Sequence, residues 1–126
     1  MEKIIAYKKI AKDMIADFEG RKNKSNRAIR YQVIADDATG NYLLLRNGWK
    51  GAVRFYNVLV HIEVTAEGLV WLHQDSTDLI IADKLLEAGI PEANMVLGFH
   101  APIMRADTSF AVGEEEWGQA ISTFQE

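Results

Sequence analysis

The chain has 126 residues, 48% of them hydrophobic and 25% charged, with a net charge of −4. That length points to one domain able to bury roughly two thirds of its unfolded surface. It contains no cysteine, which excludes disulfide scaffolds, thiolate zinc sites and cysteine nucleophiles and fits a reducing cytoplasm.

Charge is distributed unevenly. Residues 1–30 carry 9 Lys+Arg against 4 Asp+Glu, and the remaining 96 carry 5 against 14. A basic N-terminal end suits contact with an acidic partner, and it equally suits a solvated helix face followed by a basic loop. The acidic remainder disfavours direct duplex binding, because neutralising phosphates needs a clearly basic surface. Met1 to Lys12 interleaves charges with apolar residues and so lacks the uninterrupted apolar core of a secretory signal. The longest apolar runs fall far short of the ~20 residues of a spanning helix, so a cytoplasmic location and no membrane contact are expected.

In chain order, the spacing predicts a helix over 3–19. Ile4, Tyr7, Ala11, Met14, Ile15 and Phe18 share one stripe, and Gly20 supplies a C-cap. A polar, basic linker runs from Arg21 to Arg27. Ala28 to Asp36 alternates as a strand, and Asp36 to Asn41 has the composition of a turn. Tyr42 to Trp49 is a second strand; Asn47-Gly48 and Lys50-Gly51 are both turn signals, and with Trp49 between them one of the two could instead be a bulge. The longest strand, Val53 to Thr65, puts Tyr56, Val58, Val60, Ile62 and Val64 on one face, and Phe55, Asn57, Leu59, His61 and Glu63 on the other. Leu69 to Gln74 is the fourth strand.

Asp75-Ser76-Thr77-Asp78 reads as a capping box for a second helix running to about Ala88. Gly89 and Pro91 end that helix, and Met95 to Phe99 is a short buried strand. The fold class expected is α+β: an N-terminal helix, a four-stranded antiparallel meander, a second helix and a short fifth strand. Residues 1–113 form one domain on this reading, and 114–126 a tail. Trp117, Ile121 and Phe124 give that tail one short amphipathic face, which needs a surface to be stable.

Few arrangements suggest chemistry. His61 and Glu63 make H-x-E on one strand, and His73 and Asp75 make H-x-D on the next. If the two strands pair, these groups could converge into nitrogen and oxygen ligands for a metal, although half-exposed strand positions also tolerate them without a role. No acid–x–Lys triplet lies on any strand, which argues against a magnesium nuclease. Phosphate-binding glycine loops and a G-x-S-x-G elbow are missing from the sequence. Trp49, Phe55, Tyr56 and Trp71 could stack on bases or simply fill the core. Arg54 and Arg105 could hold an anion or a partner carboxylate in bidentate fashion, and Arg105 could equally pair with an acid of the 75–78 cap.

Residues 42–113 resemble the XisI family. The resemblance rests on Gly48-Trp49, Arg54 and His61, then Trp71 and the acidic cap Asp75 to Asp78. It continues through Ala82, Leu85 and Gly89-Ile90-Pro91 to the V-L-G-F-H-x-P-x-x-R segment. There it includes Val96 to His100, Pro102, Arg105, Thr108 and Phe110-Ala111. The cap departs from the family's more frequent Gly and Glu, and the tail after Gly113 follows no family pattern.

The resemblance implies a cyanobacterial-type controlling factor for excision of the fdxN DNA element, acting with a recombinase and the companion protein XisH. The family offers no established catalytic residue to carry over. The expectation is therefore a non-enzymatic accessory protein without cofactor or metal. It would touch an XisH-like partner, with self-association into a homo-oligomer also open, and would meet DNA only indirectly. Candidate partner or ligand contacts are Arg54, His61, His73, His100, Pro102 and Arg105. The alternative is a small-ligand or nucleic-acid binding module built on the His61 strand face and the Arg105 segment.

Overall fold

The computed structural model describes residues 2–25, 28–77, 80–100 and 110–111. Helix α1 (Glu2–Ser25) is followed by strands β1 (Ile29–Asp36), β2 (Asn41–Lys50), β3 (Val53–Val64) and β4 (Val70–Asp75). Helix α2 (Ile81–Glu87), a single 3-10 turn (Glu92–Asn94) and strand β5 (Met95–Leu97) complete it. The five strands lie side by side in chain order. The first four pair antiparallel, but β5 runs parallel to β4, so the sheet is mixed and not purely antiparallel. The reason is the α2 crossover: a helix between two strands returns the chain to the same end of the sheet, where a hairpin would reverse it. Ala111 extends the far edge, its N–H bonding the Met95 carbonyl at 2.7 Å.

The α1 stripe docks as its spacing predicts, with Tyr7, Ala11, Ile15 and Phe18 buried against Tyr42, Leu44, Ile62 and Val64. α2 adds Ile81, Ala82 and Leu85 to the same core. The helix does not stop at Gly20, however. An interior glycine costs a helix about 1 kcal/mol. The extra turn offsets this through tertiary bonds: Asn23 accepts from the Tyr31 N–H (2.9 Å) and donates to the Tyr31 carbonyl (2.8 Å). One turn earlier, Glu19 accepts from the Val33 N–H (2.7 Å). These side chains satisfy the outward backbone groups of edge strand β1, which would otherwise template pairing with another chain. Lys8 and Lys12 clamp the β1–β2 turn from α1, bonding the Asp37 carbonyl and carboxylate at 2.8 and 2.7 Å.

Two irregularities reset the sheet's faces. Leu44 pairs with Val60 and Leu45 with Val58, leaving Leu59 without a partner on β2. Simple alternation along β3 therefore fails. Leu59 is buried beside Val60, Phe55 packs on the core, and Tyr56 is 61% exposed. The expected faces hold only beyond the bulge, at His61, Ile62, Glu63 and Val64, because one inserted residue flips every later side chain. A second shift leaves His73 unpaired between Leu72 and Gln74.

The expected capping box at 75–78 is also corrected. α2 starts at Ile81 after Ile80, with no side-chain bond from the N-cap residue. Asp75 caps from farther away: it accepts from the Thr77 N–H and hydroxyl (3.0 and 2.6 Å) and from the Ile81 N–H (3.0 Å). Asp78 lies outside the described residues. Asp75→Ala is expected to cost about 2 kcal/mol of stability, and Asp75→Asn about half that, since one acceptor survives. Urea unfolding of the two variants checks this, and an alanine variant as stable as the parent would refute the remote cap. No helix among the described residues is long and apolar enough to cross a membrane.

Candidate functional site

The helices cover one face of the sheet. The face turned away from them carries two groupings of candidate residues. The first sits at the tip of the β2–β3 hairpin. Trp49 pairs with Arg54 across the strands, and Tyr56 follows two positions on, on the same face. The Arg54 guanidinium lies 5.3 Å from the Trp49 ring and 5.1 Å from the Tyr56 ring. It also donates a long bond of 3.4 Å to the Gly48 carbonyl. Trp49 and Tyr56 are 55% and 61% exposed, and the neighbouring Val53 is 58% exposed. Cation–π contact holds the arginine upright between two rings, so its charge is presented with little loss of side-chain freedom.

The second grouping lies further along the same face. β3 and β4 pair, and His61 and His73 meet with ring centroids 4.7 Å apart. The His73 Nε2 is 2.8 Å from a Glu63 carboxylate oxygen, and the His61 Nε2 is 2.8 Å from the Asn41 amide oxygen. Trp71 stacks on His73 at 5.4 Å. Gly98 closes the end of the cluster: its N–H bonds the Leu72 carbonyl at 2.9 Å, and a Cβ there would stand 3.1 Å from His73 Nδ1. The glycine of the V-L-G-F-H run is thus what lets the chain after β5 lie against the imidazole. This correction shortens the fifth strand, which ends at Leu97 and turns at Gly98 to His100.

Among the described residues no group of three His, Asp or Glu side chains is arranged to hold a metal. Asp75, the partner expected for His73, turns instead to α2. His61 is held below the ordinary histidine range, first by burial and then by the nearby His73, with Glu63 opposing. Its neutral form is therefore the one the fold prefers.

The sign of the pH effect follows. The unfolded chain takes up this proton near the ordinary value of about 6.5, the folded chain only at lower pH. The stability His61 contributes is present above that value and is lost as pH falls through the folded one. Urea midpoints measured from about pH 7 to about pH 5 are expected to fall further for the parent than for His61→Gln. Parallel declines in the two proteins would remove His61 as the cause.

His100 lies in the turn after β5, its ring edge-on to Phe99 at 4.7 Å. Pro102 and Arg105 lie outside the described residues. So does an ion pair of Arg105 with the cap. Sequence reasoning singled out Arg54 but not Trp49 and Tyr56 as its companions. The signal was an arginine flanked across two turn dipeptides by exposed-strand aromatics, and only the pairing register joins them.

The model of the XisI protein family matches residues 1–112. This chain belongs to the XisI family. A solved XisI-like protein of Anabaena variabilis is 28% identical with a TM-score of 0.80, covering 87% of this chain and 99% of its own. The fdxN element excision controlling factor XisI of the same organism is 32% identical with a TM-score of 0.75, covering 88% of this chain and 99% of its own. No curated protein matches this chain. The XisI fold expected from the V-L-G-F-H segment and the Gly48-Trp49 turn is the fold observed.

Proposed function

We propose that this XisI-family chain is a non-enzymatic accessory factor in the control of DNA-element excision, acting by contact with an XisH-like companion protein. The name of its solved relative, an element excision controlling factor, supports the process. The observation that carries the mode of action is the exposed trio of Trp49, Arg54 and Tyr56. Tryptophan, tyrosine and arginine are the residues that dominate binding energy at protein interfaces. Here they are already ordered, which reduces the entropy lost on docking. Further along the same face Ile34, paired with Leu43, is 47% exposed.

Contact with DNA is indirect on this reading, because the chain beyond residue 30 is strongly acidic. The test mixes the purified chain with an XisH-like protein from the same genome and measures association by calorimetry and sedimentation. A complex with a Kd of about 1 µM or tighter is the expected result. Two folded proteins that remain separate at about 50 µM would sink the proposal.

A further inference from the structure

Below the trio, the face of the sheet turned away from the helices stays apolar along β2. Alternation places Leu43 and Leu45 on the same side of that strand as Trp49. The register joins Leu43 to Ile34 of β1 and Leu45 to Val58 of β3, and Tyr56 stands two residues from Val58 on the same strand. Leu43, Leu45 and Val58 are half-buried, and neither they nor Ile34 belong to the core. Contiguous apolar patches left at a surface mark interaction sites.

Charge around the patch has one sign. β1 has no acid before Asp36, β2 has none, and β3 has none before Glu63. Arg30 is exposed and pairs with Asn47, which pairs in turn with Tyr56, so Arg30 faces the trio across β2. Among the described residues no ion pair includes Arg30 or Arg54. The long bond from Arg54 to the Gly48 carbonyl occupies one N–H of a guanidinium, which has several. Its two rings hold that charge in place without neutralising it. The arginines stand two strand spacings apart across the sheet and two residues apart along it, which separates them by about 12 Å. An α-helix with its side chains is about 10–12 Å wide.

We propose that this face receives an acidic amphipathic helix of the partner, laid along β2 between Arg30 and Arg54. The apolar stripe of that helix rests on Leu43, Leu45 and Val58, and carboxylates on its two flanks meet the two guanidinium forks. The proposal rests on the reading of the trio as a docking site and adds the chemistry of what docks there. From Trp49 to Leu43 the strand runs about 20 Å, which seats a helix of about 13 residues. A nucleic-acid strand suits the face less, because following a phosphate backbone takes a track of cations, and here two arginines flank an apolar patch. A second copy also suits it less. The acids at the far end of the face are already engaged, Glu63 by His73 and Asp36 by its own turn.

The test is fluorescence anisotropy of the full chain with two labelled helical peptides of about 14 residues, both carrying leucine at helical spacing, one flanked by glutamates and the other by lysines. Oligothymidine of similar length is the third probe. The glutamate peptide is expected to bind with a Kd below about 200 µM and to weaken about threefold or more between about 50 and 300 mM salt. The lysine peptide should fail to bind up to about 1 mM. Arg30→Glu alters an exposed side chain, so it keeps the fold, and it should weaken the glutamate peptide about fivefold or more. The assignment is overturned if the glutamate peptide stays unbound at about 1 mM, if the lysine peptide or oligothymidine binds as tightly, or if folded Arg30→Glu keeps full affinity. A dimer in sedimentation that Arg30→Glu dissociates would overturn it too, by giving the face to a second copy. A complex with the XisH-like protein but no peptide binding would remove the acidic helix and leave the docking site standing. Peptide binding without that complex would do the reverse.

Discussion

Gly40→Ala is expected to destabilise the protein by about 3 kcal/mol or more, lowering its melting temperature by roughly 10 °C or more. Gly40 ends the β1–β2 turn at φ +74°, a left-handed conformation that costs a residue bearing a Cβ about 1–2 kcal/mol. The second cost is steric. A Cβ on Gly40 would come within 2.2 Å of the Val64 carbonyl oxygen, a rigid backbone atom. That carbonyl cannot retreat cheaply, because Val64 is tied to Gly40 through its own N–H at 2.8 Å. Moving it would loosen β3 against the turn that Lys8 and Lys12 hold. Gly51 separates the two effects: its φ is +62°, but a Cβ there meets nothing within 4 Å. Gly51→Ala should therefore cost only the conformational part, about 1–2 kcal/mol. Denaturant unfolding of both variants decides the point. Equal losses would show that the contact with Val64 contributes nothing.

Trp49→Ala is expected to weaken binding to the XisH-like partner by about 2–4 kcal/mol, a loss of roughly 30-fold to 1,000-fold in affinity. The indole is more than half exposed in the free chain, so its removal takes little from the core. The stability change should stay within about 0.5–1 kcal/mol. The indole also supports Arg54, so the alanine variant releases the guanidinium from one of its two rings. Trp49→Phe keeps a flat apolar surface and should recover part of the affinity. Arg54→Ala should cost about 1–2 kcal/mol and reduce the salt dependence of association. Calorimetry with matched circular dichroism reads both quantities. Full affinity in a folded Trp49→Ala protein would move the interface away from the hairpin tip.

The elements were legible because their signals are local. The α1 stripe from Ile4 to Phe18 repeats at helical spacing, and Tyr7, Ala11, Ile15 and Phe18 are buried where it places them. Turn chemistry at Asp36 to Gly40 is equally local: Asp36 accepts from the Ala38 and Thr39 N–H groups, and its carboxyl is held below the usual range, first by Thr39. Element ends were less legible, because distant partners decide them. The last turn of α1 depends on Tyr31, and the start of α2 on a carboxylate six residues upstream. The burial of Tyr42 illustrates the same dependence. Its hydroxyl donates to Asp37 at 2.7 Å, and burial followed by that acceptor pushes its ionisation well above the ordinary tyrosine range.

By itself the sequence determined the element order, the α+β class, the α1 stripe and the XisI motifs, since each rests on residues close together in the chain. Only the tertiary structure decided the parallel β5, the Leu59 bulge that puts Tyr56 on the outer face, and the meeting of His61 with His73. It alone also set Arg30 and Arg54 on either side of the apolar patch on β2. Alternation carries no record of a bulge until the partner strand sets the register, and one inserted residue exchanges the faces beyond it.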